Sequence, residues 1–122
     1  MASEITLNVS MRFVKGGTDI MPAFAQALAR NVAGNNWIWN RQTIGTSEEA
    51  ILLGDAGAGG YFIAINRDAT NFLSLRQASA AGNFVQLIAG DVCAFRLSPN
   101  ATAPFAIADT GACELEYVLI EL

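Results

Sequence analysis

Histidine is absent from this 122-residue sequence. With it go the commonest general base, the commonest metal ligand and the usual partner of a nucleophilic Ser or Cys. The two cysteines, Cys93 and Cys113, cannot supply a four-ligand zinc site. They lie far apart among apolar neighbours, where core packing is the default for Cys, and free thiols are expected in a reducing compartment. Carboxylates remain. Glu48, Glu49 and Asp55 are close in sequence, and a glycosidase works with two carboxyl groups roughly 5–10 Å apart in a cleft. Neighbours on a strand face opposite ways, however, so Glu48 and Glu49 cannot line one cleft together. Gly54-Asp55-Ala56-Gly57-Ala58-Gly59-Gly60 has the glycine content of a phosphate loop. A strand-like run, Tyr61-Phe62-Ile63-Ala64-Ile65, follows it, where such a loop needs a helix and usually a Lys. Asp68-Ala69-Thr70-Asn71 lacks the carboxylate density of a calcium loop, and Asx-turn bonding accounts for it. The expectation is therefore no catalytic residues, no cofactor, no metal and no enzyme.

Two features fit binding better than catalysis. Trp37 and Trp39 sit two residues apart, which on a strand places both indoles on one face. Such a pair is a contact or core feature first and a stacking platform for a sugar second. The closing strand carries Leu115, Tyr117 and Leu119 on one face and Val118, Ile120 and Leu122 on the other. A strand apolar on both faces is a hazard on a free surface, so it belongs in the middle of a sheet or against another subunit. The candidate interface residues are Trp37, Trp39, Tyr117, Val118, Ile120 and Leu122.

The elements that must position these residues follow a period of two, the mark of strands. Ile5, Leu7, Val9, Met11 and Phe13 alternate with Thr6, Asn8, Ser10 and Arg12, which predicts a strand with one buried face, ended by Gly16-Gly17. Residues 22–32 read two ways: a short helix opened by Pro22 with Phe24 and Leu28 on one face, or a strand, which the flanking strands favour. Further strands are expected at 37–44, 48–53, 61–65, 72–76, 84–89, 92–97 and 113–122, with a short one at 105–108. Gly34-Asn35-Asn36, Gly82-Asn83 and Gly90-Asp91 mark turns, and Pro99 and Pro104 bracket a loop. Eight to ten short strands without a convincing helix describe an all-β, antiparallel β-sandwich, with a jelly-roll-like arrangement expected.

The length allows one domain, residues 1–122, large enough to bury a core without staples. Charged residues make up 15% and apolar residues 52%, against about 25% charged in an average soluble domain. Low charge fits a subunit that neighbours partly cover. The net charge of −4 and the scatter of Arg12, Lys15, Arg30, Arg41, Arg67, Arg76 and Arg96 argue against a nucleic-acid grip or a membrane-surface patch. No apolar stretch approaches the roughly 18 residues of a membrane span. Met1-Ala2-Ser3-Glu4 lacks the start of a signal peptide, so synthesis in a cytoplasm is expected and the sequons at Asn8 and Asn100 carry no weight.

Three segments carry a family resemblance. They are Ile44-Gly45-Thr46-Ser47-Glu48-Glu49-Ala50-Ile51-Leu52-Leu53-Gly54-Asp55, the run from Gly60 to Asn71, and the ending from Cys113 to Glu121. With the start from Ser3 onward, they resemble, in order along most of the chain, small tailed-bacteriophage virion structural proteins of the capsid decoration or cement type. Residues 15–33 depart from that pattern. The resemblance implies a head decoration protein that stabilises a capsid through protein–protein contacts, as a homo-oligomer, with a trimer preferred. Its partner would be the major capsid protein or another virion protein, and its location the virion, after synthesis in the host bacterial cytoplasm. It assigns no functional residues. The alternatives are a tail-, neck- or fibre-associated subunit and a carbohydrate-binding module using Trp37 and Trp39.

Overall fold

The computed structural model describes residues 4–20, 24–32, 36–56, 59–98 and 103–121. Twelve antiparallel strands and no helix form among them. The chain divides into two compact units, Met1–Ala33 and Gly34–Leu122. The expected sandwich occupies the second unit, so its extent is shorter than the 1–122 span read from the sequence.

The first unit is a two-stranded ribbon. Strands β1 (Ile5–Ser10) and β4 (Ala25–Arg30) pair from Ile5↔Arg30 to Ser10↔Ala25. Beyond them β2 (Val14–Lys15) and β3 (Thr18–Asp19) close the tip, with Lys15 opposite Thr18. Gly16 and Gly17 both take positive φ, +60° and +78°, as a two-residue turn matched to strand twist requires. The strand preferred for residues 22–32 is present over Ala25–Arg30; Pro22 and Ala23 lie outside the described residues. The buried face expected of β1 is not there. Ile5 is buried and Leu7 half-buried, but Val9, Met11 and Phe13 are exposed. Alternation placed these residues on one face, while among the described residues β1 pairs with β4 alone in a two-stranded sheet.

The second unit contains β5 (Trp37–Ile44), β6 (Glu49–Ala50), β7 (Gly60–Asn66), β8 (Leu73–Arg76), β9 (Asn83–Leu87), β10 (Val92–Leu97), β11 (Phe105–Ala108) and β12 (Cys113–Glu121). They form two four-stranded sheets ordered β10-β7-β12-β5 and β6-β11-β8-β9. Their pairs are nested: β8 with β9, β7 with β10, β6 with β11, β5 with β12. Pairs β12–β7 and β11–β8 complete the sheets. Phe62, Ala64, Leu97, Cys113, Leu115, Tyr117 and Leu119 from one sheet meet Leu73, Leu75, Leu87, Ala106 and Ala108 from the other in one apolar core. Period-two alternation therefore fills the space between two sheets, as in a sandwich. The run at 48–53 supplies only a two-residue strand; there the Gln42 side chain takes the backbone's bonds, donating to the Ala50 carbonyl and accepting from the Leu52 N–H.

Two positions hold the sheets in register. Gly60 begins β7 between Leu97 and Glu121, with no room for a Cβ against the Ile120 carbonyl. Asn66 ends β7 fully buried. Its amide donates to the carbonyls of Asn71 (3.0 Å) and Leu87 (2.9 Å) and accepts from the Asp68 N–H (2.9 Å). Since Leu87 belongs to β9, this side chain ties one sheet to the other.

Candidate interaction face

Every second residue of the β10-β7-β12-β5 sheet points away from the core, and the registers arrange these residues in rows. Trp37, Ile120, Tyr61 and Arg96 lie abreast; then Trp39, Val118, Ile63 and Ala94; then Arg41, Glu116, Ile65 and Val92. The face is apolar in its middle and charged at its Arg41 end. Trp37 and Trp39 are 68% and 70% exposed, an amount of open indole that contact surfaces use and cores do not.

Trp39 is fixed rather than free. Its indole N–H donates to Glu116 (2.7 Å), which also accepts from Arg67 Nε (2.7 Å) and lies 3.4 Å from Arg41 Nη2. Donation by Trp39, followed by donation from Arg67, holds the Glu116 carboxyl below its ordinary value of 4.5. The clamp is thus charged at neutral pH and is lost only as pH falls below that ordinary value. Beside it lies a shallow depression of about 230 Å³, lined by Trp39, Ile63, Ile65, Arg67, Glu116 and Val118, with Tyr117 beneath. Farther across the sheet the Arg96 guanidinium lies 5.9 Å from the centre of the Tyr61 ring.

The structure brings Trp37, Trp39, Val118 and Ile120 together on this face. Tyr117 is a correction. It points into the core, where its hydroxyl donates to the Leu52 carbonyl and accepts from Asn40 (3.3 Å), and burial pushes its pKa up. A residue so enclosed cannot contact a partner. Leu122 lies outside the described residues. Sequence reasoning missed Glu116, Arg41, Arg67, Ile63 and Ile65. Alternation within Tyr61–Ile65 and Cys113–Glu121 separated the two faces of each strand, but nothing local said that β5, β12 and β7 lie side by side.

Of the carboxylates weighed for catalysis, Glu48 and Glu49 are held in structural hydrogen bonds. Glu48 accepts from Arg76 (2.7 Å), Ser79 (2.9 Å) and the Ala80 N–H (3.0 Å), of which Arg76 lowers its pKa most. Glu49 turns elsewhere, to Gln42 (3.0 Å) and the Gly45 N–H (3.1 Å). Asp68 forms the expected Asx turn, accepting from the N–H groups of Thr70 (3.0 Å) and Asn71 (2.6 Å). Cys93 and Cys113 are unbridged, and burial raises both thiols. No group of three or more potential ligands gathers among the described residues.

Comparison with protein families, with curated proteins and with solved structures found no match.

Proposed function

We propose that this chain is a non-catalytic structural subunit that docks through the outer face of the β10-β7-β12-β5 sheet, and that it decorates and cements the head of a tailed phage. The observation that carries the reading is the clamped, open Trp39 among aliphatic neighbours. Buried aromatic anchors beside excluded water dominate protein–protein interfaces, and an anchor fixed in advance loses less entropy on binding. The particular particle rests on the family resemblance of the sequence and on fold analogy. The nested strand pairing supports reading the sandwich as a jelly roll, a double-sheet architecture that recurs in viral capsid and lectin domains.

Particles lacking the protein are expected to assemble, yet to lose DNA or break at a lower temperature than complete ones, and purified protein should restore them. Protein carrying Trp39→Ala should bind such particles at least about tenfold more weakly, in line with a hot-spot residue. Depleted heads that resist heat as complete ones do, but fail to adsorb or inject, would replace the cement role by the tail-associated one.

A second reading has its own support. Two open indoles on one sheet face are also what a sugar platform presents, whereas buried indoles would favour a structural role alone. Exposure in a single chain does not separate the two, because a docking face is also open until its partner arrives. The surroundings favour protein: Trp39 is abreast of Val118, Ile63 and Ala94, and the polar groups that a sugar would need beside the platform, Glu116, Arg67 and Arg41, are engaged with one another and with the indole. Saturable quenching of tryptophan fluorescence by an oligosaccharide, abolished by Trp37→Ala, would reverse that preference.

A further inference from the structure

The two four-stranded sheets end in four edge strands, β10 and β5 in one, β6 and β9 in the other. An unpaired edge is a row of open N–H and C=O groups, which proteins blunt with short strands, bulges, Pro or charged side chains. Strand β5 is poorly blunted. At eight residues it is the longest of the four edges, and its pairing with β12 runs without a register shift. Trp37–Ile44 contains no Pro, Gly or Lys, and its single charge, Arg41, lies 3.4 Å from both Glu114 and Glu116. The open groups can be assigned. The Glu121 N–H donates to the Asn36 carbonyl (3.1 Å), and antiparallel pairs alternate between bonded and non-bonded. Ile38, Asn40, Gln42 and Ile44 therefore turn their main chain toward β12, and Trp37, Trp39, Arg41 and Thr43 turn theirs outward. Among the described residues these four make no backbone hydrogen bond outside the sheet ladders, and all four are exposed.

We propose that the β5 of a second copy completes this edge, the two strands pairing antiparallel about a two-fold axis through Asn40. The four outward residues are symmetric about that position, so this register engages all of them. Trp37 pairs with Thr43 of the second copy, Trp39 with Arg41 of the second copy, and the reverse. Each such pair exchanges two bonds, about eight in all, and the two β10-β7-β12-β5 sheets become one. Main-chain bonding of this kind is how sheet edges recruit strands. The side chains agree with the register. Each Trp39 indole lies opposite Arg41 of the other copy, within reach of a cation–π contact. The two Arg41 groups are diagonal neighbours across the axis, but the Glu114 and Glu116 of each chain compensate them. Asn40 is exposed and meets its own copy on the axis, where two amides satisfy each other reciprocally. An isologous contact requires such a self-matching patch, and this favours a second copy over an unrelated strand. A pair fits this symmetry, where the family resemblance implied a trimer. The inference does not rest on the docking reading: it uses the edge of β5, and it leaves the outer faces of both copies open side by side.

The test uses the full chain. The wild type should sediment at twice the 12.9 kDa of one copy. Hydrogen exchange at Trp37, Trp39 and Arg41 should slow as concentration rises, since single copies leave these amides unpaired. Arg41→Pro removes an outward N–H and spares the bonds to β12, a change that edge strands tolerate, so it should return the single mass. Arg41→Ala keeps that N–H and should leave the mass doubled. Because a proline could also loosen β5, a second measurement uses cysteines under mild oxidation. Residues facing each other in a non-bonded antiparallel pair stand about 4.5 Å apart at Cα, within disulfide range. Asn40→Cys should therefore link two copies, whereas Thr43→Cys, away from the axis, should not; the native thiols are common to both variants. A wild type of single mass at its highest soluble concentration, a doubled mass in Arg41→Pro, or equal cross-linking by the two cysteine variants would each overturn the proposal. So would linkage through Ala94→Cys on the β10 edge in place of Asn40→Cys.

Discussion

Replacing Gly60 by alanine should cost about 3 kcal/mol or more, the upper range for forcing atoms into a packed interior. A Cβ at Gly60 would stand 1.9 Å from the Ile120 carbonyl oxygen and 2.7 Å from its carbon. Both atoms are backbone of β12, the neighbouring interior strand, so no side-chain rotation relieves the clash. The strands must part at the Gly60↔Glu121 end of their pairing, which also displaces Ile120 and the indole row beside it. For a domain of this size the melting temperature should fall by more than about 10 °C. Gly82→Ala is the matching control, since a Cβ there meets nothing within 4 Å. A Gly60→Ala protein that melts with the wild type would mean that the β7–β12 register is wrong.

Asn66→Asp should be as damaging, and its damage should depend on pH. The substitution removes both amide donors and aims a carboxylate at the carbonyl oxygens of Asn71 and Leu87, which now accept from Nδ2. An uncompensated charge in a buried site costs about 3–5 kcal/mol. Burial and those carbonyls favour the protonated acid, so its folded pKa rises above the unfolded value of about 3.9. The charge penalty is then absent below the unfolded pKa, grows as pH rises between the two values and is complete above the folded one. Urea unfolding should show a large neutral-pH deficit that shrinks in acid. Asn66→Leu leaves the same backbone groups unsatisfied with no charge, so its loss should be comparable at both pH values. Equal stability of Asn66→Asp across that range would remove the argument.

Strand positions were legible because alternation is a local property. The segments 37–44, 92–97 and 105–108 match β5, β10 and β11 to the residue, and the doubly apolar Cys113–Glu121 is indeed interior to its sheet. Partner choice was not legible. The same alternation produced a core-facing strand at Cys113 and an open ribbon strand at Ile5, and only the pairing distinguishes them. For the same reason Tyr117 and Val118 both entered the candidate interface, although one faces the core and the other faces out. Asn66 carried no signal, since a lone Asn at a strand end reads as a turn former; its role appears only when Leu87 is placed against it. Glu116 was hidden too, because its partners come from elsewhere in the chain, Trp39 and Arg41 from β5 and Arg67 from just past the end of β7.

The nesting of strand pairs has a kinetic meaning. Loop-closure entropy grows with the length of chain enclosed, so the local β8–β9 hairpin is the cheapest contact to make. Each completed pair brings the next two strands close, and zippering should run outward through β7–β10 and β6–β11 to β5–β12. Strand β5, which among the described residues lies at a sheet edge and pairs with β12 alone, should then be last captured and first released. Native-state hydrogen exchange should find the amides of Trp37–Arg41 opening at lower free energy than those of β8, and the reverse order would refute the sequence of events. The row of Trp39 beside Val118 and Ile63 comes into being only at the final step. On the docking role proposed for this face, a partner that must touch all three would engage finished molecules and pass over incomplete ones, so that attachment would double as a test of folding.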